Sequence, residues 1–324
     1  MQFVLNMKKY LIVVVLIFII SCAKKSDAEI EIEKTSIDLE IVRFDKIFGT
    51  AKTHDIPALK KQYPSFFPKQ YHDSIWVKKI QDTLQQQLYT EVVKKFPFED
   101  NLKDELVFLF QHIKYYFPQI KTPLVITTTS DVDYRNKIIL SDEFLIIALD
   151  TYLGSNHHFY VGIPKYVSQN LVETQIISDV AAVYAQNLVP RPKQRTFLSQ
   201  MIYYGKILYL KDLWMTSHSD SNKIGYTADD FLWVEENESE IWRNFVENEF
   251  LYSTNPKLPP RFINPAPFSK FYLEIDNDSP GMVGRYIGWE IVKSYMEKNS
   301  VSLQKLLTLT AEEIFNASKY KPKK

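Results

Sequence analysis

The chain has 324 residues, with 39 basic and 39 acidic side chains, 14% aromatic residues and only 8 glycines. So even a charge balance gives no electrostatic ground for binding nucleic acid or a strongly anionic surface. The aromatic content, with no repeat and no low-complexity block, excludes a disordered or repetitive chain.

Met7 reads as the start of translation, which makes residues 1–6 an extension. Lys8 and Lys9 precede an apolar run from Tyr10 to Ile20. That run has the length of a signal peptide and falls short of the ~20 apolar residues of a spanning helix. It ends in Ile19-Ile20-Ser21-Cys22, a loose lipobox, so residues 1–21 are assigned as signal peptide and Cys22 as the lipidation site. Cys22 is the only cysteine, so no internal disulfide can form and a free thiol in an exported protein needs an explanation. Lipidation supplies one, and at ~0.8 kcal/mol per buried CH₂ several acyl chains anchor a protein stably. The alternative is an ordinary cleaved signal with an incidental cysteine. Residues 22–35 read as a polar, lipidated tether and 36–324 as a single domain. Ala23 and Lys24 after the cysteine point to the outer membrane, facing the periplasm, with the inner membrane as the alternative.

Alternation of Ile37, Leu39 and Ile41 predicts a strand within 36–48 that runs into Arg43-Phe44-Asp45. Trp76, Ile80, Leu84, Leu88 and Val92 recur every four residues and predict one helix over about 73–95, followed by a second over 102–116. Three short β-rich runs follow, at 123–128, 137–140 and 144–149. Helices are then predicted over about 169–188, 193–214 and 227–251, the last opened by a Thr227/Asp230 capping box. Five prolines in 256–267 argue against regular structure there. Asp278-Ser279-Pro280 reads as the start of a helix over 281–298, and Thr310/Glu313 as the cap of a last short one. Helices, sheet, helices is an α+β order, predominantly helical around a small central sheet.

A small sheet followed by two helices is also the order of zincin metallopeptidases, which predicts a zincin-like architecture. The ligands are missing. A zincin needs two histidines one turn apart on a helix and a third ligand beyond. In the candidate helix Ser178 and Ala182 stand in the histidine positions, and Ile202 to Lys206 supplies no third ligand. The architecture is therefore expected to be a degenerate metallopeptidase, with no catalytic residue, no metal site and no cofactor. His157-His158 points to opposite sides if extended, a poor chelate, and reads as a solvated loop. His112, on an amphipathic helix, reads as a satisfied, partly buried side chain. Glu235, Glu236, Glu238 and Glu240 read as a solvated face. No Gly-x-Ser-x-Gly elbow and no P-loop is present, and no small-molecule substrate is evident.

Gly284 and Gly288 share one helix face, where glycine costs about 1 kcal/mol relative to alanine. Close approach of another backbone explains them, from the core in the preferred reading or from a partner in the other. The stiff aromatic segment 259–272 is the candidate interaction surface, through Arg261, Phe262, Phe268, Lys270, Phe271 and Tyr272, with Trp289 beside it.

Residues 200–214, Ile224-Gly225-Tyr226, Glu238-x-x-Ile241-Trp242, Leu251-Tyr252-Ser253-Thr254, and Arg261-Phe262 through Asn277 form a series of uncommon strings in order. With Pro280-Gly281 through Met296, Arg43-Phe44-Asp45 and Ala148 to Gly154, they resemble the gliding motility lipoprotein GldB family of the Bacteroidota. The likeness covers nearly the whole mature chain. It implies a lipoprotein required for gliding, a non-catalytic accessory or assembly component of the envelope machinery linked to type IX secretion. Its partners would be the membrane, through Cys22, and other envelope proteins. The alternative is a periplasmic hydrolase of unrecognised chemistry acting on protein or cell wall.

Overall fold

A computed structural model describes residues 27–274 and 276–323. The signal peptide and Cys22 lie outside the described residues. The chain divides into two compact units, 1–36 and 37–324. In the first, Asp27–Glu33 forms a short helix, α1, so part of the segment read as a plain tether is helical.

The second unit opens with β1 (Ile41–Arg43) and turns at once into α2 (Phe44–Gly49), so the predicted strand is shorter than its alternation suggested. Helices α3 (Ile56–Gln62), α4 (Asp73–Gln81), α5 (Thr83–Lys95) and α6 (Asp100–Tyr116) follow. The single helix expected over 73–95 is thus two. Asp82 takes an extended conformation and accepts a hydrogen bond from the Gln85 amide at 3.0 Å, capping α5. The four-residue stripe breaks with it: Leu84 is 53% exposed, whereas Leu88 and Val92 are buried.

The three predicted β runs are β2 (Leu124–Thr128), β3 (Ile138–Leu140) and β4 (Phe144–Ala148). The strand order is β1-β2-β4-β3, parallel except for the antiparallel β3–β4 edge. Alternating residues of the central strands face opposite cores. Val125, Leu145 and Ile147 join the large core, while Ile126 packs with Phe44, Leu59 and Phe67 in a small aromatic one. A sheet covered on both faces needs apolar residues at consecutive positions, which is why β2 and β4 read as unbroken hydrophobic runs.

After the short helix α7 (Lys165–Ser168), the large core is built mainly of later helices: α8 (Ile176–Leu188), α9 (Phe197–Trp214), α10 (Asp220–Ile224), α11 (Ala228–Glu236), α12 (Glu238–Glu247), α13 (Leu258–Phe262), α14 (Val283–Lys298), α15 (Leu303–Thr308) and α16 (Ala311–Ser318). The helix expected over 169–188 is confined to 176–188, after a short helix and a 3₁₀ turn. The one expected over 227–251 breaks at Asn237, whose side-chain amide donates to the Trp233 carbonyl at 2.9 Å. Both capping boxes form, at Thr227/Asp230 and Thr310/Glu313. The proline-rich segment, expected to be irregular, holds one helical turn, because Pro259 and Pro260 sit in its first turn where no amide donor is needed. Ser279 is not the cap of α14. Its hydroxyl donates to the Asp276 carbonyl at 2.7 Å and accepts from the Ser269 amide at 3.2 Å, and Met282, in left-handed conformation at φ 62°, opens the helix.

Helices α9 and α14 cross at the centre of this core. A Cβ on Gly288 would lie 2.0 Å from the Met201 carbonyl oxygen, and one on Gly205 2.2 Å from that of Gly288. The helix glycines therefore serve backbone contact inside the core, as the preferred reading expected.

Candidate binding cleft

Several residues singled out from the sequence lie elsewhere than expected. Phe262 and Trp289 are fully buried, so neither belongs to a surface. Arg261, Phe268 and Phe271 are partly buried, and only Lys270 and Tyr272 stand out in solvent. The Arg261 guanidinium lies 4.6 Å from the Phe262 ring centre and 4.5 Å from that of Tyr272, and its Nε donates to the Lys270 carbonyl at 2.7 Å. This segment largely straps its own core.

His157 is not part of a solvated loop. It caps a 3₁₀ turn (His158–Tyr160), with its Nδ1 accepting from the Phe159 amide and its Nε2 3.3 Å from Glu91 Oε2. The His157 and His158 rings lie 4.4 Å apart, because that turn brings together side chains that an extended chain would separate. Glu238 also departs from expectation. It is buried and accepts hydrogen bonds from the Tyr286 hydroxyl (3.0 Å), the Tyr320 hydroxyl (2.7 Å) and the Lys323 amide (3.2 Å). The break at Asn237 rotates Glu238 off the acidic face and into the core. His112 is fully rather than partly buried, and it is only half satisfied: Nδ1 lies 2.8 Å from the Phe108 carbonyl, while Nε2 has no hydrogen-bond partner among the described residues. Among the described residues no group of three or more His, Cys, Asp or Glu side chains could hold a metal ion.

The feature that stands out is a cleft of about 430 Å³ in the second unit. Helix α8 contributes Ser178, Asp179 and Ala182 to its wall, and α9 contributes Tyr204 and Lys211. Lys137, just before β3, closes one side, while Pro265 to Pro267 and Arg285 of α14 close another. Ser178 and Ala182, the two positions read as vacant histidine sites, therefore do line a cavity, and the residues around them are cationic.

Lys211 is withdrawn from water and donates to Ser178 Oγ at 2.7 Å and to the Lys223 carbonyl. Ser178 in turn donates to the Asn222 carbonyl at 2.9 Å. Burial disfavours the ammonium and pulls the Lys211 pKa down to about 7. Arg285 donates from Nε to the Ile263 carbonyl at 2.7 Å, and its guanidinium carbon lies 4.0 Å from the Tyr204 ring centre. The remaining cations of the cleft are matched. Lys137 pairs with Asp179, which also accepts from the Tyr152 hydroxyl at 2.9 Å. Lys223 pairs with Asp212 at 3.0 Å and Asp220 at 2.8 Å. Lys211 and Arg285 have no ion pair among the described residues.

The sequence reading missed this cleft. One signal was available: Lys206 and Lys211 interrupt a helix that is apolar all round, and such a lysine must find partners inside the core. Lys206 does so by donating to the Leu307 and Leu309 carbonyls at 3.1 and 2.7 Å.

No curated protein and no solved structure matches the chain. A family model described as gliding motility protein GldB matches residues 25–322. That match spans nearly all of the chain, including every element that builds the cleft, and the chain belongs to the GldB family of gliding motility proteins.

Proposed function

We propose that this gliding motility protein is a non-catalytic accessory component of the envelope machinery, linked to type IX secretion, that acts through protein–protein contacts. In this reading a lipid on Cys22 anchors it, most naturally in the outer membrane facing the periplasm. The family match supports the motility role. The basic start, apolar run and lipobox support the anchor. Among the described residues no helix is long and apolar enough to cross a membrane.

The observation that carries the non-catalytic part is the partner of Ser178. Its hydroxyl donates to the Asn222 carbonyl at 2.9 Å, which competes with any general base for that proton. A degenerate zincin-like ancestry belongs to the same reading: two helices after a small sheet, with serine and alanine at the would-be ligand positions beside a retained cleft. Deleting the gene is expected to stop gliding on wet glass. A wild-type copy should restore it and a Cys22→Ala copy should not. Normal gliding of the deleted cells would remove the motility role of this chain.

One observation favours the second reading, a periplasmic hydrolase. Ser178 Oγ and Lys211 Nζ are 2.7 Å apart, and a lysine poised near neutrality can serve as the general base of a serine nucleophile. Peptide turnover by the purified chain, lost in both Ser178→Ala and Lys211→Met, would establish it.

A further inference from the structure

We propose that the cleft is a carboxylate-binding site, in which Arg285 and Lys211 hold an anionic group of a polypeptide partner. This deepens the reading of the chain as a protein-binding component and rests on it.

Arg285 is placed for such a ligand. Its Nε is committed to the Ile263 carbonyl and its plane is set by Tyr204, so the guanidinium is fixed before anything binds. Its two terminal nitrogens make no hydrogen bond among the described residues. A planar fork held in this way matches the two oxygens of a carboxylate. Lys211, whose ammonium form an adjacent anion favours, adds a second positive charge when the ligand is bound. An ammonium carries three donors, and two of these go to Ser178 and the Lys223 carbonyl, which leaves one without a partner among the described residues. Cations withdrawn from water without a counter-charge are costly, and an incoming anion relieves that cost.

The rest of the wall selects the kind of anion. Asp179 and Asp230 also line the cleft, and their carboxylates oppose a doubly charged phosphate more strongly than a singly charged carboxylate. Pro265, Ala266, Pro267 and Tyr166 offer apolar surface to the chain that carries the group. The volume falls in the range of ligand pockets, which is room for one residue and part of its neighbours. A chain's terminal carboxylate and an acidic side chain share this chemistry.

Calorimetry on the full-length chain in detergent tests the proposal with three probes: acetyl-trialanine as free acid, the same peptide as C-terminal amide, and acetyl-Ala-Glu-Ala amide. The free acid or the glutamate peptide is expected to bind about tenfold more tightly than the uncharged amide. Whichever of the two binds identifies the source of the carboxylate. Arg285→Gln and Lys211→Met should each erase the preference, with circular dichroism confirming the fold. Should either variant unfold, the acid-to-amide ratio of the unaltered chain still decides. Equal binding of all three probes, no binding, or a preference that survives both substitutions overturns the site. If the carboxylate peptides fail to bind while the chain still captures envelope proteins in pull-downs, the site falls and the protein-binding reading stands. Cleavage of a bound acid peptide, read by mass, supports the site and removes the non-catalytic reading.

Discussion

Two arginines of this molecule are drawn away from water, and they are treated in opposite ways. Arg43, beside the sheet, donates twice to Asp45 at 2.9 and 2.7 Å and once to the Phe96 carbonyl at 3.0 Å, and Asp45 also accepts from the Thr127 hydroxyl. Every strong group there has a partner supplied by the chain itself. Arg285, at the cleft, has a partner for Nε and an aromatic face, but no anion. A saturated ion pair joins strand, helix and loop and leaves nothing to offer a ligand. An unsaturated one makes a poor staple but a prepared receptor. The contrast distinguishes a buried charge that holds the fold from one that the fold holds ready.

That contrast can be broken by substitution. Asp45→Ala strands Arg43 beside the sheet and is expected to cost about 3 kcal/mol in urea unfolding, the usual penalty for removing one partner of a buried pair. A loss near zero would mean that the pair is not a staple.

A smaller effect is expected at Lys211, and it depends on pH. Burial lowers the folded pKa to about 7 from an ordinary 10.5, so between these values the unfolded chain binds more protons than the native one. Stability contributed at this position therefore rises with pH through that window. Asp179, Asp212, Lys137 and Arg285 act on the same group and are unchanged in a Lys211→Met variant. The wild type should gain about 2 kcal/mol relative to that variant between pH 6 and pH 9. A flat difference would place a stable counter-charge on Lys211.

Arg285→Gln should cost only about 1 kcal/mol, the value of one hydrogen bond, despite its expected effect on carboxylate binding. A loss matching that of Asp45→Ala would erase the distinction between the two sites. Smallest of all is Tyr272→Ala. Its side chain is 72% exposed over Arg261, and a change of about 0.5 kcal/mol is expected in thermal unfolding.

Features whose causes are local were legible in the sequence. Both capping boxes formed where threonine and an acidic residue stand three apart, because that cap is complete within four residues. The three β runs and the small sheet were legible for the same reason. The glycine face of α14 predicted backbone contact, although not that its partner would be Met201 of α9. Periodicity misled where a cap competed with it. Leu84 keeps the four-residue spacing, yet Asp82 starts a new helix and turns that leucine outward. Composition misled in the same way at Glu238, where three donors distant in sequence draw one glutamate of an acidic run into the core.

The sequence alone determined the α+β class, the dominance of helices, the family and the expectation of a lipid anchor, since each rests on composition, short spacing or recurring strings. The tertiary structure alone decided which charges are matched. Whether Lys137 meets Asp179, or Arg285 meets Ile263, depends on segments 42 and 22 residues apart in the chain. Charge pairing of this kind is set by the approach of distant backbones, so no local pattern carries it. The cleft is assembled from residues 134 to 285, and its character follows from two cations, Lys211 buried and Arg285 half-buried, that the fold gives no anion.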